Sequence, residues 1–473
     1  MLDVLQTWEA QPGSQAAVLL TVIPLAGGTR AGDLERLEAG SLARNTRMVD
    51  EPSGGMGEVM EPVATKDLLQ GEAPQESPTR SMVIGLLIGA TVPVMFLVRF
   101  AGVRLNVSAG DVIIGLLGAL MLLRLYRVES PWPALRLLGW PMSLFVGWMA
   151  LTSGLSIIRY ESVGIAAVRE LLKYGADLVW LLVTVAAFRN ERVQRGFVMA
   201  WYFAAVALSV GAIATRIAAW PMPVRPELTF ENPNALAFFL GASITAPWWV
   251  TRVWRVRRAW ITVPLIFLGV LATGSRGGTL GAGAGLVWLL AIWLRQVGLF
   301  TWRRLIAVGL VGVGLVALLL LTPPGREGAG RVFGASHLFM VDDRLELWQD
   351  SWMLYQQSPW IGIGPGMFAT LRETVLGREN KNAHNEYLTA LTEQGPVGLV
   401  AILALLGTAL GYAWRHSPRN PGAVAGGGIM AHSVVHGFVS NVFQLRLFWI
   451  GFALILVAAA EERTVQARAS EHL

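Results

Sequence analysis

From about residue 81 onward, apolar runs long enough to cross a lipid bilayer follow one another along the chain, separated by short polar connections. A spanning helix needs about 20 mostly apolar residues, and it satisfies its own backbone hydrogen bonds, which lipid cannot do. The predicted spans cover residues 81–98, 108–126, 135–156, 166–188, 196–218, 235–250, 260–273, 277–297, 302–322, 387–414, 422–439 and 445–460. The pattern therefore predicts an all-α, polytopic membrane protein with about 12 transmembrane helices.

Residues 1–80 lack this pattern. They contain acidic and Gly/Pro/Ser-rich clusters, at 51–55 and 71–78, that bury too little apolar surface to fold. One apolar run, 16–27, is too short to span a bilayer and contains Pro24. We therefore expect residues 1–80 to be a disordered cytoplasmic extension that is dispensable for activity.

Arginine residues are concentrated in alternate connections between the predicted spans. They are Arg189, Arg192, Arg195, Arg252, Arg255, Arg257, Arg258, Arg295, Arg303, Arg304, Arg415 and Arg419. Because basic connections stay in the cytoplasm, both termini are predicted to be cytoplasmic. Residues 81–322 then form the first nine spans, and 387–473 form the last three and a short tail. The long connection 323–386, between the ninth and tenth spans, lies outside and is the place to seek chemistry.

Composition supports the membrane assignment and excludes chemistry that depends on cysteine. Hydrophobic residues make up 54% of the 473 residues and charged residues only 15%, whereas a soluble domain carries about 25% charged residues. The net charge of +6 fits arginine-rich cytoplasmic connections better than nucleic-acid binding. The chain has no cysteine, which excludes a disulfide framework, a thiolate nucleophile and a cysteine-based zinc site.

The external connection contains three elements. Leu345, Trp348, Trp352 and Tyr355 recur at helical spacing, which predicts an amphipathic helix on the membrane surface. Glycines at 362, 364 and 366 form a turn that lets the backbone approach a ligand or another helix closely. His384 ends the connection, and a histidine at the mouth of a membrane cavity can accept a proton near neutral pH.

Basic residues at the predicted outer edge are candidates for binding an anion. Arg276 follows a tight turn at a helix start, where a phosphate would be favoured, although an arginine reaching lipid head groups is an equal alternative. Arg225 precedes the turn at 232–234. Arg169 and Lys173 lie near the outer end of the fourth span, where charges need a partner or a wet cavity. A structural arginine–glutamate pair with Glu170 and a substrate-binding role are both open there.

His432 and His436 are separated by one helical turn in the eleventh span and have the spacing of metal ligands. No third ligand is apparent in the sequence. Two buried histidines in a glycine-lined packing helix are the favoured interpretation.

These motifs, in this order, resemble those of the O-antigen ligase and polymerase (Wzy-type) family of bacterial membrane glycosyltransferases. The matching residues are Arg225 with Asn232-Pro-Asn234-Ala, Ser275-Arg276-Gly-Gly, Arg344 with Trp348, the stretch from Pro359 to Phe368, His384-Asn385-Glu-Tyr-Leu, and Glu393-Gln-Gly395. The resemblance covers the chain from about residue 81 and is strongest between Arg225 and Gly398.

The resemblance implies a fold of the C type among membrane glycosyltransferases and an enzyme of the bacterial inner membrane. Members take a glycan from an undecaprenyl-diphosphate carrier and transfer it to lipid A-core or to another glycan at the outer face, among membrane lipids, with no metal or cofactor. Arg276, Arg344 and Arg225 would bind the diphosphate, and His384 would be the general base. Asn385 would orient His384 or contact the substrate. Direct attack would invert the anomeric centre.

Other functions are compatible with the same residues. Within the family, the acceptor could instead be another lipid-linked glycan, as in a polysaccharide polymerase, or a protein, as in an O-oligosaccharyltransferase. A lipid-linked glycan flippase is the alternative of another class. Its signature would be broken helices or repeats with charges near the bilayer midplane. The sequence contains only the cluster from Arg169 to Lys173, near the outer edge.

Overall fold

The computed structural model describes residues 78–100, 103–123, 130–160, 163–219, 224–230, 232–304, 306–307, 309–310 and 340–471. Its helices are α1 (Pro78–Thr91), α2 (Ala109–Leu122), α3 (Trp132–Leu135), α4 (Gly139–Tyr160), α5 (Ile165–Phe188), α6 (Glu191–Ala218), α7 (Pro233–Ala242), α8 (Ala246–Val253), α9 (Thr262–Ala272), α10 (Arg276–Gln296), α11 (Met340–Gln356), α12 (Met367–Thr374), α13 (Glu386–His416), α14 (Pro421–His436) and α15 (Arg446–Glu471). Nearly all of the predicted extension, most of the predicted ninth span and residues 323–339 of the external connection lie outside the described residues.

Five helices in the described part of the chain are long and apolar enough to cross a membrane: Gly139–Tyr160, Ile165–Phe188, Glu191–Ala218, Arg276–Gln296 and Glu386–His416. They correspond to the predicted third, fourth, fifth, eighth and tenth spans. The protein is therefore a polytopic, mostly helical membrane protein, and about 12 spans remain a prediction.

The first predicted span is wrong in its second half. Helix α1 ends at Thr91, because Pro93 cannot continue it. The following residues form two antiparallel strands, β1 (Met95–Phe100) and β2 (Val103–Ser108), with Met95 opposite Ser108. These segments are rich in β-branched and aromatic residues, which favour strands. Apart from this hairpin and short 3₁₀ turns, the regular elements of the described residues are α-helices, as the sequence predicted.

The sixth predicted span is broken rather than continuous. Between α7 and α8 the chain forms a 3₁₀ turn at Ser243–Thr245, directly before Pro247 at the start of α8. Another 3₁₀ turn, Arg257–Ile261, precedes the short helix α9. Hydropathy averages over such breaks, so the apolar pattern alone did not reveal them.

Small residues bring helix backbones into contact. A Cβ atom added at Gly85 of α1 would lie 2.8 Å from the backbone nitrogen of Phe197, and one at Gly196 of α6 would lie 2.9 Å from that of Leu86. Helices in lipid associate through such close approach, because lipid supplies no hydrophobic drive between them.

His432 and His436 lie in the interface between α14, α7 and α10. Both rings are buried and pack edge-on against Phe238, with ring centroids 5.0 Å and 5.5 Å away. A Cβ atom at Gly281 of α10 would lie 2.6 Å from His432 Nδ1. The favoured interpretation, buried histidines against glycine-bearing helices, describes this interface.

A buried polar network ties α2, α5 and α15 together. The Arg446 guanidinium donates to Asp111 Oδ1 at 2.7 Å and also pairs with Asp177. The Trp180 indole N–H donates to the same Asp111 oxygen at 2.6 Å. Charges at this depth are costly unless paired, so these helices assemble around the pairs.

Candidate active site

A polar cavity of about 540 Å³ opens where α11, the segment after α12 and the connection before α7 meet. It is lined by Arg225, Asn234, Arg344, Glu346, Leu347, Arg372, Arg378, Glu379, Lys381 and His384. Residues from widely separated parts of the sequence thus converge on one space. Three of the residues predicted to act, Arg225, Arg344 and His384, are among them.

Arg225 is held by two neutral partners. Its Nε donates to the Thr273 carbonyl at 3.0 Å, and its Nη2 donates to Asn234 Oδ1 at 3.0 Å. Asn232 caps α7, its side chain accepting from the Asn234 backbone N–H at 2.8 Å. The two asparagines of the Asn-Pro-Asn motif therefore have separate functions: one starts the helix and the other positions Arg225.

Arg276 lies near Arg344, at the first turn of α10. Ser275 caps this helix by accepting from the Gly278 N–H at 3.2 Å. Burial and then the neighbouring charge of Arg276 lower the pKa of Arg344. A guanidinium beside a helix N-terminus is a favourable environment for an anion. Arg276 is not one of the cavity-lining residues, but its charge acts on one of them.

The other cations of the cavity are neutralised by carboxylates. Arg372 pairs with Asp350 at 2.8 Å and Glu346 at 2.9 Å, and Arg378 reaches the same two carboxylates at 2.7 Å and 2.8 Å. Lys381 pairs with Glu379 at 2.7 Å. Among the residues that the structure describes, neither Arg225 nor Arg344 forms an ion pair. The cavity therefore keeps a positive charge that a dianion can neutralise.

His384 is positioned by an unusual backbone conformation. Its φ of 51° lies in the left-handed region, which histidine occupies more readily than most residues. Burial, then Arg344 and Lys381, lower the pKa of His384 below its ordinary value of 6.5. The lowered pKa favours the neutral imidazole, which is the form that can accept a proton.

Asn385 is the N-cap of α13. Its Oδ1 accepts from the backbone N–H groups of Tyr387 at 3.1 Å and Leu388 at 3.0 Å. This cap holds the chain directly after His384. Substrate contact by Asn385 stays a prediction.

Two further predicted residues lie away from the cavity lining. Glu170 forms an ion pair with Lys173 at 2.8 Å, rather than the arginine–glutamate pair that the sequence suggested. Arg169 is exposed on α5. A substrate-binding role for Arg169 and Lys173 stays a prediction. In the described residues, no group of three or more His, Asp or Glu side chains has the arrangement of a metal site.

Glu386 contacts the protein rather than the cavity. It is buried, and its Oε2 accepts from the backbone N–H of Val442 at 2.7 Å and of Phe443 at 3.3 Å. Its own backbone N–H donates to the Gly437 carbonyl at 2.8 Å. Glu386 thus fastens the start of α13 to the connection between α14 and α15.

The amphipathic helix α11 presents its apolar residues in an unexpected way. Leu345 and Trp352 are about half exposed, at 51% and 50%, whereas Leu347 and Leu354 are buried. Leu345, Trp348 and Trp352 border a second cavity of about 590 Å³. The predicted apolar stripe is therefore the outward face of the helix.

The glycine turn at 362–366 packs against a break in α13. The backbone N–H groups of Ile363 and Gly364 donate to the carbonyls of Thr392 and Glu393 at 3.0 Å and 2.7 Å. The Glu393 carboxylate accepts from the N–H of Gly366 at 2.8 Å. The glycines therefore let this turn lie close to another helix. Close approach to a helix and close approach to a ligand were the two possibilities that the sequence left open.

Gly362→Ala is expected to destabilise the protein by about 1–3 kcal/mol more than Gly377→Ala, the usual cost of overpacking. A Cβ atom at Gly362 would overlap the Glu393 carbonyl and lie 2.5 Å from the Gln394 nitrogen, whereas one at Gly377 meets nothing within 4 Å. Both glycines have positive φ, 80° and 64°, so backbone strain is matched. Thermal unfolding of the purified variants in detergent measures the difference. Equal Tm values would contradict this packing.

Sequence reasoning missed Arg372, Arg378, Glu346 and Asp350. Arg372 is 4% exposed and Asp350 is fully buried. Charged residues in a predicted external connection look like ordinary solvated residues, and no local pattern marks them as partners. Only the spacing of Glu346 and Asp350, one helical turn apart on α11, hinted at a shared face.

The chain is similar to known proteins over a range that includes several of these residues. Residues 261–403 match the family model for O-antigen ligase (Wzy_C). The matched range contains Arg276, Arg344, His384 and the glycine turn. An O-antigen ligase of Pseudomonas aeruginosa is 26% identical over 369 residues, which cover 74% of this chain and 85% of that protein. Together, these similarities support the assignment of this chain to the O-antigen ligase family of membrane glycosyltransferase-type enzymes.

Proposed function

We propose that the protein is an O-antigen ligase that transfers a glycan from undecaprenyl diphosphate to a hydroxyl of lipid A-core, with inversion and without a metal. The observation that carries this proposal is that one cavity contains His384 together with Arg225 and Arg344, two arginines that form no ion pair with the described carboxylates. A diphosphate carries at least two negative charges, which matches the two cations.

In the proposed reaction, the acceptor hydroxyl transfers its proton to His384 as its oxygen attacks the anomeric carbon of the donor. The bond from that carbon to the diphosphate oxygen breaks, and the diphosphate leaves with the electron pair. Arg344, Arg225 and Arg276 stabilise the charge that develops on it. A single displacement of this kind inverts the anomeric centre.

The cavity carboxylates favour this mechanism over that of soluble glycosidases, which place two carboxyl groups on either side of the bond. Glu346 is engaged by Arg372 and Arg378, and Glu379 by Lys381. These carboxylates already neutralise protein cations, so His384 is the better base.

Purified protein with lipid-linked glycan tests the proposal. Transfer to added lipid A-core, unchanged by a chelator, supports a metal-independent ligase. Transfer only to a second lipid-linked glycan would make the enzyme a polymerase, and transfer only to an acceptor protein would make it an oligosaccharyltransferase. Movement of intact donor across vesicle membranes, without new glycosidic bonds, would favour a flippase instead. The anomeric configuration of the product distinguishes inversion from retention.

The proposed location requires the cavity to face the periplasm of the inner membrane. Because the chain has no cysteine, single cysteines can report on topology. We expect Asn382→Cys, exposed beside the cavity, to react with a membrane-impermeant maleimide in spheroplasts. Arg419→Cys, exposed in the connection before α14, should react only after the membrane is opened. Labelling in the reverse order would contradict the orientation.

A further inference from the structure

Arg372 is the buried centre of an ion-pair network in the wall of the cavity. Its guanidinium contacts Asp350 and Glu346 of α11, at 2.8 Å and 2.9 Å, and also donates to the Glu379 carbonyl. Arg378 adds a second cation to the same carboxylates, at 2.7 Å and 2.8 Å. One side chain of α12 therefore binds both α11 and the segment that follows α12.

This network joins the two elements that carry the proposed diphosphate ligand and base. Arg344 lies on α11, two positions before Glu346. His384 lies at the end of the segment 375–385, which contains Arg378 and Glu379 and forms neither helix nor strand. A segment without regular structure has few backbone hydrogen bonds of its own, so its position depends on contacts such as these.

Stability alone does not account for such a network. Removing two charges from water is expensive, and buried ion pairs are often replaceable by apolar residues without loss of stability. An apolar contact, however, has no fixed geometry, whereas a forked guanidinium bound to two carboxylates fixes direction as well as distance. An ion-pair network of this kind therefore suits a part of the protein in which side chains must be held at fixed distances and directions.

We propose that Arg372 is a positioning residue that holds the segment 375–385 against α11, and thereby holds His384 and Arg344 at the separation that transfer requires. This inference rests on the proposed function. A displacement of about 1 Å between reacting groups can lower a rate by about a hundredfold. Loss of the forked contact between the Arg372 guanidinium and the two carboxylates should therefore reduce turnover, although Arg225 and Arg344 remain in the cavity.

The network's geometry can be measured without any assay of activity. Because the chain has no cysteine, spin labels at Gln349→Cys on α11 and Asn382→Cys before His384 form the only labelled pair. Both positions are exposed. We expect a narrow distance distribution in the otherwise unchanged protein and a broad one in Arg372→Lys, which keeps the charge but loses the fork.

Glu346→Gln provides a second variant, should Arg372→Lys fail to fold. The Glu346 side chain is 47% exposed, so its change to an amide leaves no deeply buried charge unpaired. The matched control is Glu373→Gln on α12, whose carboxylate accepts from Asn380 at 2.8 Å outside the network. The control should retain both the narrow distribution and the parent rate of transfer.

Transfer at saturating donor, measured without spin labels, completes the test. Broadening in Arg372→Lys or Glu346→Gln, with a rate about 10- to 100-fold lower, supports the positioning role. An unchanged distribution in a folded variant overturns it, as does broadening with an unchanged rate. If the unaltered protein shows no transfer, the proposed function fails, while the distance measurement still decides whether the network holds this segment.

Discussion

Arg344→Lys is expected to lower the rate of glycan transfer by about 10²- to 10³-fold, the usual effect of removing one donor to a developing negative charge. Lysine keeps the charge but presents a single point rather than a planar fork, so the two-point contact with the diphosphate is lost. Arg276→Lys should have a similar effect if both guanidinium groups bind the leaving group. The measurement is transfer from purified lipid-linked glycan by protein that inserts and accumulates normally.

Arg159→Lys is the matched control for this prediction. Arg159 is exposed at the end of α4, where it donates a long hydrogen bond, 3.4 Å, to the Gln357 carbonyl and lies over the Tyr160 ring, away from the cavity. Its replacement should leave transfer at the parent rate. Near-parent rates in both Arg344→Lys and Arg276→Lys would exclude bidentate binding and leave these residues a general charge or packing function.

His384→Gln is expected to reduce transfer by about 10² to 10⁴, the contribution of general base catalysis. Glutamine keeps some hydrogen bonding but cannot take up the proton. Because His384 has a φ of 51°, His384→Asn is the necessary companion, since asparagine tolerates this conformation and separates loss of the base from backbone strain. Donor binding should persist in both variants, because the arginines remain.

The pH dependence of the parent enzyme provides an independent check on His384. Its pKa lies below 6.5 because burial and neighbouring cations disfavour the protonated ring. A base acts when deprotonated, so transfer should decline as the pH falls, with a midpoint below the ordinary histidine value of 6.5. A His384→Asn protein that transfers at the parent rate would show that another group activates the hydroxyl. Lost donor binding would instead make His384 a phosphate contact.

The sequence by itself predicted the membrane class, the chemistry-bearing external connection and three of the residues that line the cavity. These features are local. Hydropathy depends on residue type within one segment, and Arg225, Arg344 and His384 stand in short motifs that resemble those of a known family. Hydropathy and short motifs can be read from a single segment, without knowing which segments contact one another in the fold.

Tertiary contacts decided where the local pattern misled. The pairing of β1 with β2 replaced the second half of a predicted helix with a hairpin, although the segment is apolar. Glu386, two residues after His384, has its carboxylate engaged by the backbone N–H groups of Val442 and Phe443. The Glu386 carboxylate and these N–H groups are far apart in the sequence, so no periodic pattern of residues predicts that they meet.

The electrostatic character of the cavity also arose only in the folded chain. The sequence shows many arginines near the outer edge, but not which of them are neutralised. Arg372 and Arg378 are paired because Glu346 and Asp350 lie on the adjoining face of α11, while Arg225 is held by an amide and a carbonyl. A charge is available to a substrate only after its partners within the protein are counted, and those partners are set by tertiary packing rather than by position along the chain.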